Sequence, residues 1–384
     1  MILTEALDEL RKPKPFIYSK EIACANPTLL IGLELETEHC HEIGRTVSTA
    51  AIEKLGYQIA SDNSLRGSAY EFISRPMASK HALASLTDFF ALTKFNDGNY
   101  SDRCSTHVHV NCQDLTLEQI SNVALIYQIV EEILFEFVGH NRDSNLYCIP
   151  WNQCRNHHRL VANFLASPRT TLKVWNKYTA LNLLPLLMYG TVEFRQMNGT
   201  ADMTRLTTWI NLIGSIFKYA TSVELNNLTT TVKELNTTSH YEHFFNTVLG
   251  GYLPYNELYR AKLEEGIILA KFGLVSTKPQ ARLNMDGITI ANPPLNHRLL
   301  GGVWDDYGLQ ANPTRAPPPA DVLVHNSPRG RIDIAAQRQL VGRRPARSAA
   351  DTAFLAADTA FLAALAGGTG RVVVRNVPVN TEGV

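Results

Sequence analysis

Four short stretches of this chain alternate apolar and polar residues with a period of two, and the polar set in each is dominated by glutamate, histidine or arginine. Successive side chains of a β-strand point to opposite faces, so each stretch can be sorted into two sides. In Leu29–Glu38, Glu34, Glu36 and Glu38 share one side and Leu33 and Leu35 take the other. Tyr70–Arg75 sets Glu71 against apolar neighbours, and Thr106–Asn111 sets His107, His109 and Asn111 against Val108 and Val110. Thr191–Met197 sets Glu193 and Arg195 against Val192 and Phe194. Four strands of this kind specify a sheet with one greasy face for packing under helices and one chemical face.

Between and after these strands the apolar spacing turns helical. It predicts helices at Arg45–Leu55, Lys80–Lys94, Leu117–Val138, Met203–Tyr219, Tyr241–Val248 and Asn256–Phe272. Thr116 and Gln119 make a capping box at the start of the third helix, and Gly139 is its stop residue. Strands and helices do not alternate as βαβα units. The expected class is therefore α+β, with an antiparallel or mixed sheet and helices packed on one side rather than a doubly wound parallel sheet.

The 384 residues, 45% of them hydrophobic, suffice for a large buried core. No apolar run approaches the ~20 residues that span a bilayer, and the amphipathic start Met1–Glu5 is not an export signal, so a soluble, cytoplasmic protein is expected. Lys+Arg and Asp+Glu balance at 36 each, which argues against a general nucleic-acid binder. Six scattered cysteines without a CxxC pair indicate reduced thiols, with no disulfide framework and no zinc knuckle. Composition changes after Lys278, the last lysine. Beyond it come Ala316–Pro319, the arginine-rich run Arg343–Arg347, and a heptad at Asp351–Ala357 repeated at Asp358–Ala364, which together read as a flexible tail. The expected organisation is a lead-in at 1–27, a catalytic domain at 28–275 and a tail at 276–384.

A solvated strand face would mix in lysine, serine and glutamine, and lysine is absent from all four polar stripes. If the strands are neighbours, the carboxylates of Glu34, Glu36, Glu71 and Glu193 repel one another unless cations offset them. Magnesium takes oxygen ligands and keeps coordination sites for substrate phosphates, and Arg195 offers a planar fork for a phosphate. A merely polar surface is the competing reading of the same face.

Gly32-Leu33-Glu34-Leu35-Glu36, Asp62-Asn63-Ser64-Leu65 leading to Glu71-Phe72-Ile73-Ser74, Arg103–Val110, and Lys177–Asn182 followed by Thr191–Arg195 form an ordered set of motifs over roughly residues 28 to 270. In this set the chain resembles the amidoligases, relatives of glutamine synthetase and glutamate-cysteine ligase. The resemblance implies a glutamine-synthetase-like α+β domain whose concave sheet face holds ATP and magnesium or manganese. It also implies a reaction in which ATP phosphorylates a carboxylate and an amine displaces the phosphate to form an amide, the substrates being amino acids or peptides. By position, Glu34, His107 and Glu193 resemble the metal set nearest the nucleotide phosphates, and Glu36 and Glu71 the metal set facing the acyl substrate. Arg195 resembles the phosphate-clamping arginine, and His109 a residue that touches a phosphate or orients a ligand. Asp62 is either a ligand or part of the turn before its strand. The chain departs from the family pattern at Ser105 and Asn111, where glycine is common.

Acyl-phosphate chemistry needs no protein nucleophile, and no GxSxG elbow or P-loop is present. Two other readings stay open: a metal-dependent hydrolase or phosphodiesterase that uses the same Glu/His set to activate water, and a non-catalytic interaction protein. The polar segments His140–Asp143 and Cys154–Arg159 are candidate substrate-selecting loops as well as ordinary surface.

Overall fold

The computed structural model of the chain describes residues 1–276 except 8–9, 62–63, 140–141 and 155–162. Asp62, residues 140–141, most of the 154–159 segment and the tail with its repeated heptad lie outside the described residues.

The four alternating stretches form β1 (Leu30–Thr37), β3 (Tyr70–Ser74), β5 (Ser105–Asn111) and β7 (Thr191–Asn198). Three shorter strands join them: β2 (Tyr57–Ala60), β4 (Met77–Ala78) and β6 (Leu181–Asn182). The sheet order is β2-β3-β1-β5-β7-β6, with β4 also paired to β1, and every pairing among the described strands is antiparallel. The class is thus α+β with an open antiparallel sheet.

Register decides which residues share a face. Glu34 stands opposite His107 and Glu36 opposite Glu71, while Leu33 stands opposite Val108 and Leu35 opposite Phe72. His109 stands opposite Glu193, and Val108 opposite Phe194. Partners across a ladder project to the same side, so the polar sets of all four strands fall on one face and the apolar sets on the other.

On the apolar side Leu33, Leu35, Phe72, Val108, Val192 and Phe194 are each 2% exposed or less, which makes this face the core. It is covered by α3 (Ser79–Thr93), α4 (Leu117–Val138) and α6 (Met203–Ser222); Phe89 packs edge-on against Phe72 at 5.0 Å, and Tyr127 and Trp209 meet Phe194 at 5.9 and 6.3 Å. The Thr116–Gln119 capping box forms at the head of α4, with bonds of 3.0 and 3.1 Å.

Short α1 (Leu3–Ala6) and α2 (Thr49–Lys54) precede this layer, α5 (Pro168–Lys173) lies between α4 and α6, and α7 (Leu225–Glu234), α8 (Thr238–Val248) and α9 (Glu257–Ser276) follow it. Residues of the N-terminal lead-in join the core: Leu3 and Leu7 are buried, and Leu3 N–H donates to Leu115 O at 2.9 Å. Among the described residues no helix is long and apolar enough to cross a membrane.

Three expectations need correction. The helix read from Arg45 starts only at Thr49, because Gly44 turns at φ +78° and the amides of Arg45, Thr46 and Val47 all converge on Glu42 O. Glu38 is not part of the glutamate stripe: β1 ends at Thr37, and the Glu38 carboxylate turns to Arg103 and to the amide of Arg66.

The third correction concerns β7, which is not a regular strand. Thr106 pairs with Met197 but Val108 with Phe194, so Arg195 and Gln196 together face His107 alone. This β-bulge reverses the parity of the strand, keeping Met197 with the core after Arg195 has turned to the polar side.

Candidate active site

The polar face gathers around His107, which is 3% exposed. Its Nδ1 lies 3.0 Å from Glu34 Oε2 and 3.2 Å from Glu193 Oε1. On the other side of the ring, Nε2 lies 2.7 Å from Ser105 Oγ. Glu36 Oε2 takes both the Ser105 amide, at 2.8 Å, and the Ser105 hydroxyl, at 2.5 Å.

These contacts fix the imidazole. A carboxylate only accepts, so the Ser105 hydroxyl spends its proton on Glu36 and must accept from His107 Nε2–H. Nδ1 is then left facing two carboxylates. It can do so only with a proton or a cation in between.

The donor set suits a divalent cation. Ligand atoms of Glu34, His107 and Glu193 lie within 4.8 Å of one another. An octahedral ion with bonds of ~2.1 Å sets neighbouring ligand atoms about 3.0 Å apart, close to the two His107 distances above. Glu36 and Glu71 face each other across β1 and β3 beside this group without being part of it.

His109 reaches the same cluster, with Nε2 3.0 Å from Glu34 Oε1, although poorly aligned for a hydrogen bond, and Nδ1 3.0 Å from Thr191 Oγ1. Arg195 pairs with Glu193 through Nη1 and donates from Nε to Tyr147 O at 3.1 Å. Asn182 on β6 donates to the other Glu193 oxygen at 2.7 Å.

Burial acts to push the Glu34 carboxyl up, but its contacts with His107 and His109 outweigh this and hold it well below the usual carboxylate range. Burial acts to lower His109, and Glu34 together with the charge of Glu193 more than reverses it. Glu193 follows the pattern of Glu34: burial pushes up, and the charges of Arg195, His107 and His109 bring it down. Glu34, His109 and Glu193 therefore favour their charged forms although each is largely buried.

Two clefts meet here. One, of about 520 Å³, is lined by Glu34, Glu36, Arg103, Lys177, Asn182 and Arg195 among others. The second, of about 630 Å³, continues past His109 along Leu30, Gly32 and Ile73 to Arg11 and Lys12. Glu34, His109, Met188 and Tyr189 line both.

Residues 69–217 match the model of the family described as "Putative amidoligase enzyme". That segment is amidoligase-like. It holds Glu71, His107, His109, Glu193 and Arg195, whereas Glu34 and Glu36 precede it. The match covers about two fifths of the chain and supports a ligase activity in general. The search of curated proteins found no match. Among solved structures the chain is similar to one titled "Crystal structure of novel glutamine synthase homolog", at 11% identity and a TM-score of 0.32, covering 65% of this chain and 70% of that one.

Sequence reasoning singled out Glu34, Glu36, Glu71, His107, His109, Glu193 and Arg195, and the sheet carries all of them on one face. It gave no separate role to Ser105 or Asn182, and it named Arg142 only within the candidate substrate-selecting segment His140–Asp143. Ser105 was legible as a departure from a glycine position, and Asn182 as the last residue of the Lys177–Asn182 motif. Within that polar segment nothing marked Arg142 as a clamp on the main chain of β7.

Proposed function

We propose that this face is the active site of an ATP-dependent carboxylate-amine ligase that works through an acyl phosphate. The observation that carries the reading is the convergence of Glu34, His107 and Glu193, with Arg195 on Glu193, where two clefts meet. Bound magnesium or manganese would spread the negative charge of the transferring phosphoryl group.

The chain's own groups divide the remaining work. Glu34, His107 and Glu193 would hold the first ion, while Glu36 and Glu71 would form the carboxylate pair for a second. Among the described residues Arg195 is the one arginine paired with a carboxylate of the cluster, and its fork clamps the transferred phosphoryl group. His109, at the junction of the clefts, orients the phosphate chain.

The longer, more apolar cleft suits the nucleotide base. Asn111 and Gln113 line it, and Asn111 Oδ1 and Gln113 Oε1 are buried without hydrogen-bond partners among the described residues. Gln113 already donates through Nε2 to Arg11 O and Tyr189 O, at 2.9 and 3.0 Å. Glycine at 190 makes room for this: its φ is +67°, and a Cβ there would lie 2.4 Å from Gln113 Cγ. The more polar cleft then takes the carboxylate and the amine. A carboxylate oxygen bonds to the γ-phosphorus as ADP leaves, and the amine nitrogen attacks the acyl carbon, loses a proton and releases phosphate.

The test is to supply the protein with ATP, magnesium and pools of amino acids or peptides, following phosphate release and amide products together. Phosphate release coupled to amide formation is the expected result. Phosphate release with no amine incorporated would overturn the ligase reading in favour of a hydrolase.

A further inference from the structure

The bulge in β7 exposes two successive carbonyls, and a single buried side chain holds both. Arg142, 2% exposed, donates from Nη2 to Arg195 O at 2.7 Å and from Nε to Gln196 O at 3.0 Å. Five residues further along the same loop, Tyr147 O receives Arg195 Nε–H at 3.1 Å. On the opposite side Arg195 N–H donates to Ala180 O at 2.8 Å. The loop after α4 thus grips Arg195 twice, once through its main chain and once through its side chain.

We infer that Arg142 is a positioning residue: by clamping the Arg195 and Gln196 carbonyls it fixes the bulge, and so the angle at which Arg195 meets Glu193 and the phosphoryl group. The functional half of this inference rests on the ligase reading; the geometric half does not. A strand with an unclamped extra residue can relax toward regular pairing by shifting one residue, which turns side chains to the other face. If residues 191–195 took up the register of Met197, the Arg195 fork would turn off the cluster; if residues 196–198 moved instead, Met197 would leave the core and the main chain beside Arg195 would be re-angled. Arginine suits the task because its planar fork spans two acceptors at once, whereas lysine presents a point charge.

Arg142→Lys separates positioning from general structure. The expected variant melts close to wild type and keeps its stabilisation by magnesium and ATP, since Arg142 touches no proposed ligand. Its kcat for ATP turnover should fall about tenfold or more while KM for ATP stays within about twofold. In an Arg195→Lys background the same change should have almost no further effect, because a residue acting through Arg195 has nothing left to position.

Side-chain NMR of ¹⁵N-arginine protein gives a readout free of activity. The Arg195 Nε–H resonance, assigned by its loss in Arg195→Lys, should exchange with solvent about tenfold faster or more in Arg142→Lys. An unchanged Nε–H resonance, or a kcat loss that persists in full without the Arg195 fork, would overturn the inference. If the resonance responds but wild type turns over no ATP with any substrate pool, the ligase reading fails and the positioning contact stands. Should Arg142→Lys not fold, Arg142→Gln is measured instead. Failure of both to fold would overturn positioning in favour of a purely structural role.

Discussion

Ser105 Oγ lies 2.7 Å from His107 Nε2, and it fills a position where the motif was expected to have glycine. This hydroxyl ties Glu36 to His107 and leaves Nδ1 as the atom that faces Glu34 and Glu193. Second-layer hydrogen bonds of this kind hold a histidine ligand in one tautomer and one orientation. Ser105→Ala should therefore weaken manganese binding by about tenfold or more while leaving the melting temperature of the ion-free protein little changed. Manganese titration followed by electron paramagnetic resonance would check this; unchanged affinity would mean that the strand alone orients the ring.

Another buried carboxylate lies in the helix layer on the opposite side of the sheet and gives the protein a pH dependence unrelated to catalysis. Glu131 in α4 is 3% exposed, accepts the Trp151 amide at 2.8 and 3.0 Å, and meets Tyr127 Oη at 2.9 Å. Burial pushes its carboxyl from the ordinary 4.5 up to about 8, against the opposing pull of the Trp151 and Tyr127 hydrogen bonds. The folded chain then keeps a proton that the unfolded chain has released, so this contribution is whole below about pH 4.5 and is lost as pH rises through about 8. Thermal unfolding between pH 5 and 9 should show stability falling toward the alkaline end. Glu131→Gln, which cannot ionise, should flatten that slope, and an equal slope in the variant would place its origin elsewhere.

How far these features could be read from the sequence depended on strand length. β1, β3, β5 and β7 have five to eight residues, enough for alternation to sort Glu34, His107 and Glu193 from Leu33, Val108 and Phe194 before any register was known. β4 and β6 have two residues each, too few to show a period, and β6 carries Asn182, which holds Glu193. The bulge at Arg195 and Gln196 was hidden for another reason: it is a property of the pairing with β5, visible only once both strands are laid side by side. The clamp made by Arg142 was hidden for the same cause. Its partners are main-chain carbonyls, which leave no mark in a side-chain pattern.

The proposed ion cluster should stabilise the fold by mass action. Magnesium or manganese with ATP would bind the sheet and not the unfolded chain, which at a hundredfold excess over the dissociation constant is worth about 2.7 kcal/mol. Differential scanning calorimetry at millimolar metal and ATP should show a raised melting temperature for wild type. Glu193→Gln should lose most of that rise. Identical melting of wild type with and without the ligands would remove the basis for the metal assignment.

Changes at Glu193 and Arg195 should fail in different ways, although the two side chains touch. Glu193→Gln keeps the shape and the bond from Asn182 but removes a negative ligand, so metal binding should weaken and turnover be lost with it. Arg195→Lys keeps the charge but loses the fork, so metal binding should survive while kcat falls by about a hundredfold or more. Metal titration and phosphate-release kinetics on both variants separate the two. Equal loss of metal affinity in both would mean that Arg195 acts only by balancing the charge of Glu193.

His107 and Val108 are adjacent in sequence and point to opposite faces of one strand, which makes them the most direct test of the two-faced sheet. Val108 is fully buried opposite Leu33 and Phe194, so Val108→Ala should cost on the order of 1–3 kcal/mol of stability. Its effect on kcat should be small, because it removes packing from the side of the sheet away from the cluster. His107→Ala removes an imidazole bound by Ser105, Glu34 and Glu193 and leaves those carboxylates facing one another. Metal binding and ATP turnover should be abolished, with a smaller loss of stability than in Val108→Ala because fewer apolar contacts are given up. Urea unfolding and metal titration on the two variants give the comparison. If His107→Ala instead costs as much stability as Val108→Ala and leaves metal binding untouched, the histidine is a structural residue and the functional face is misassigned.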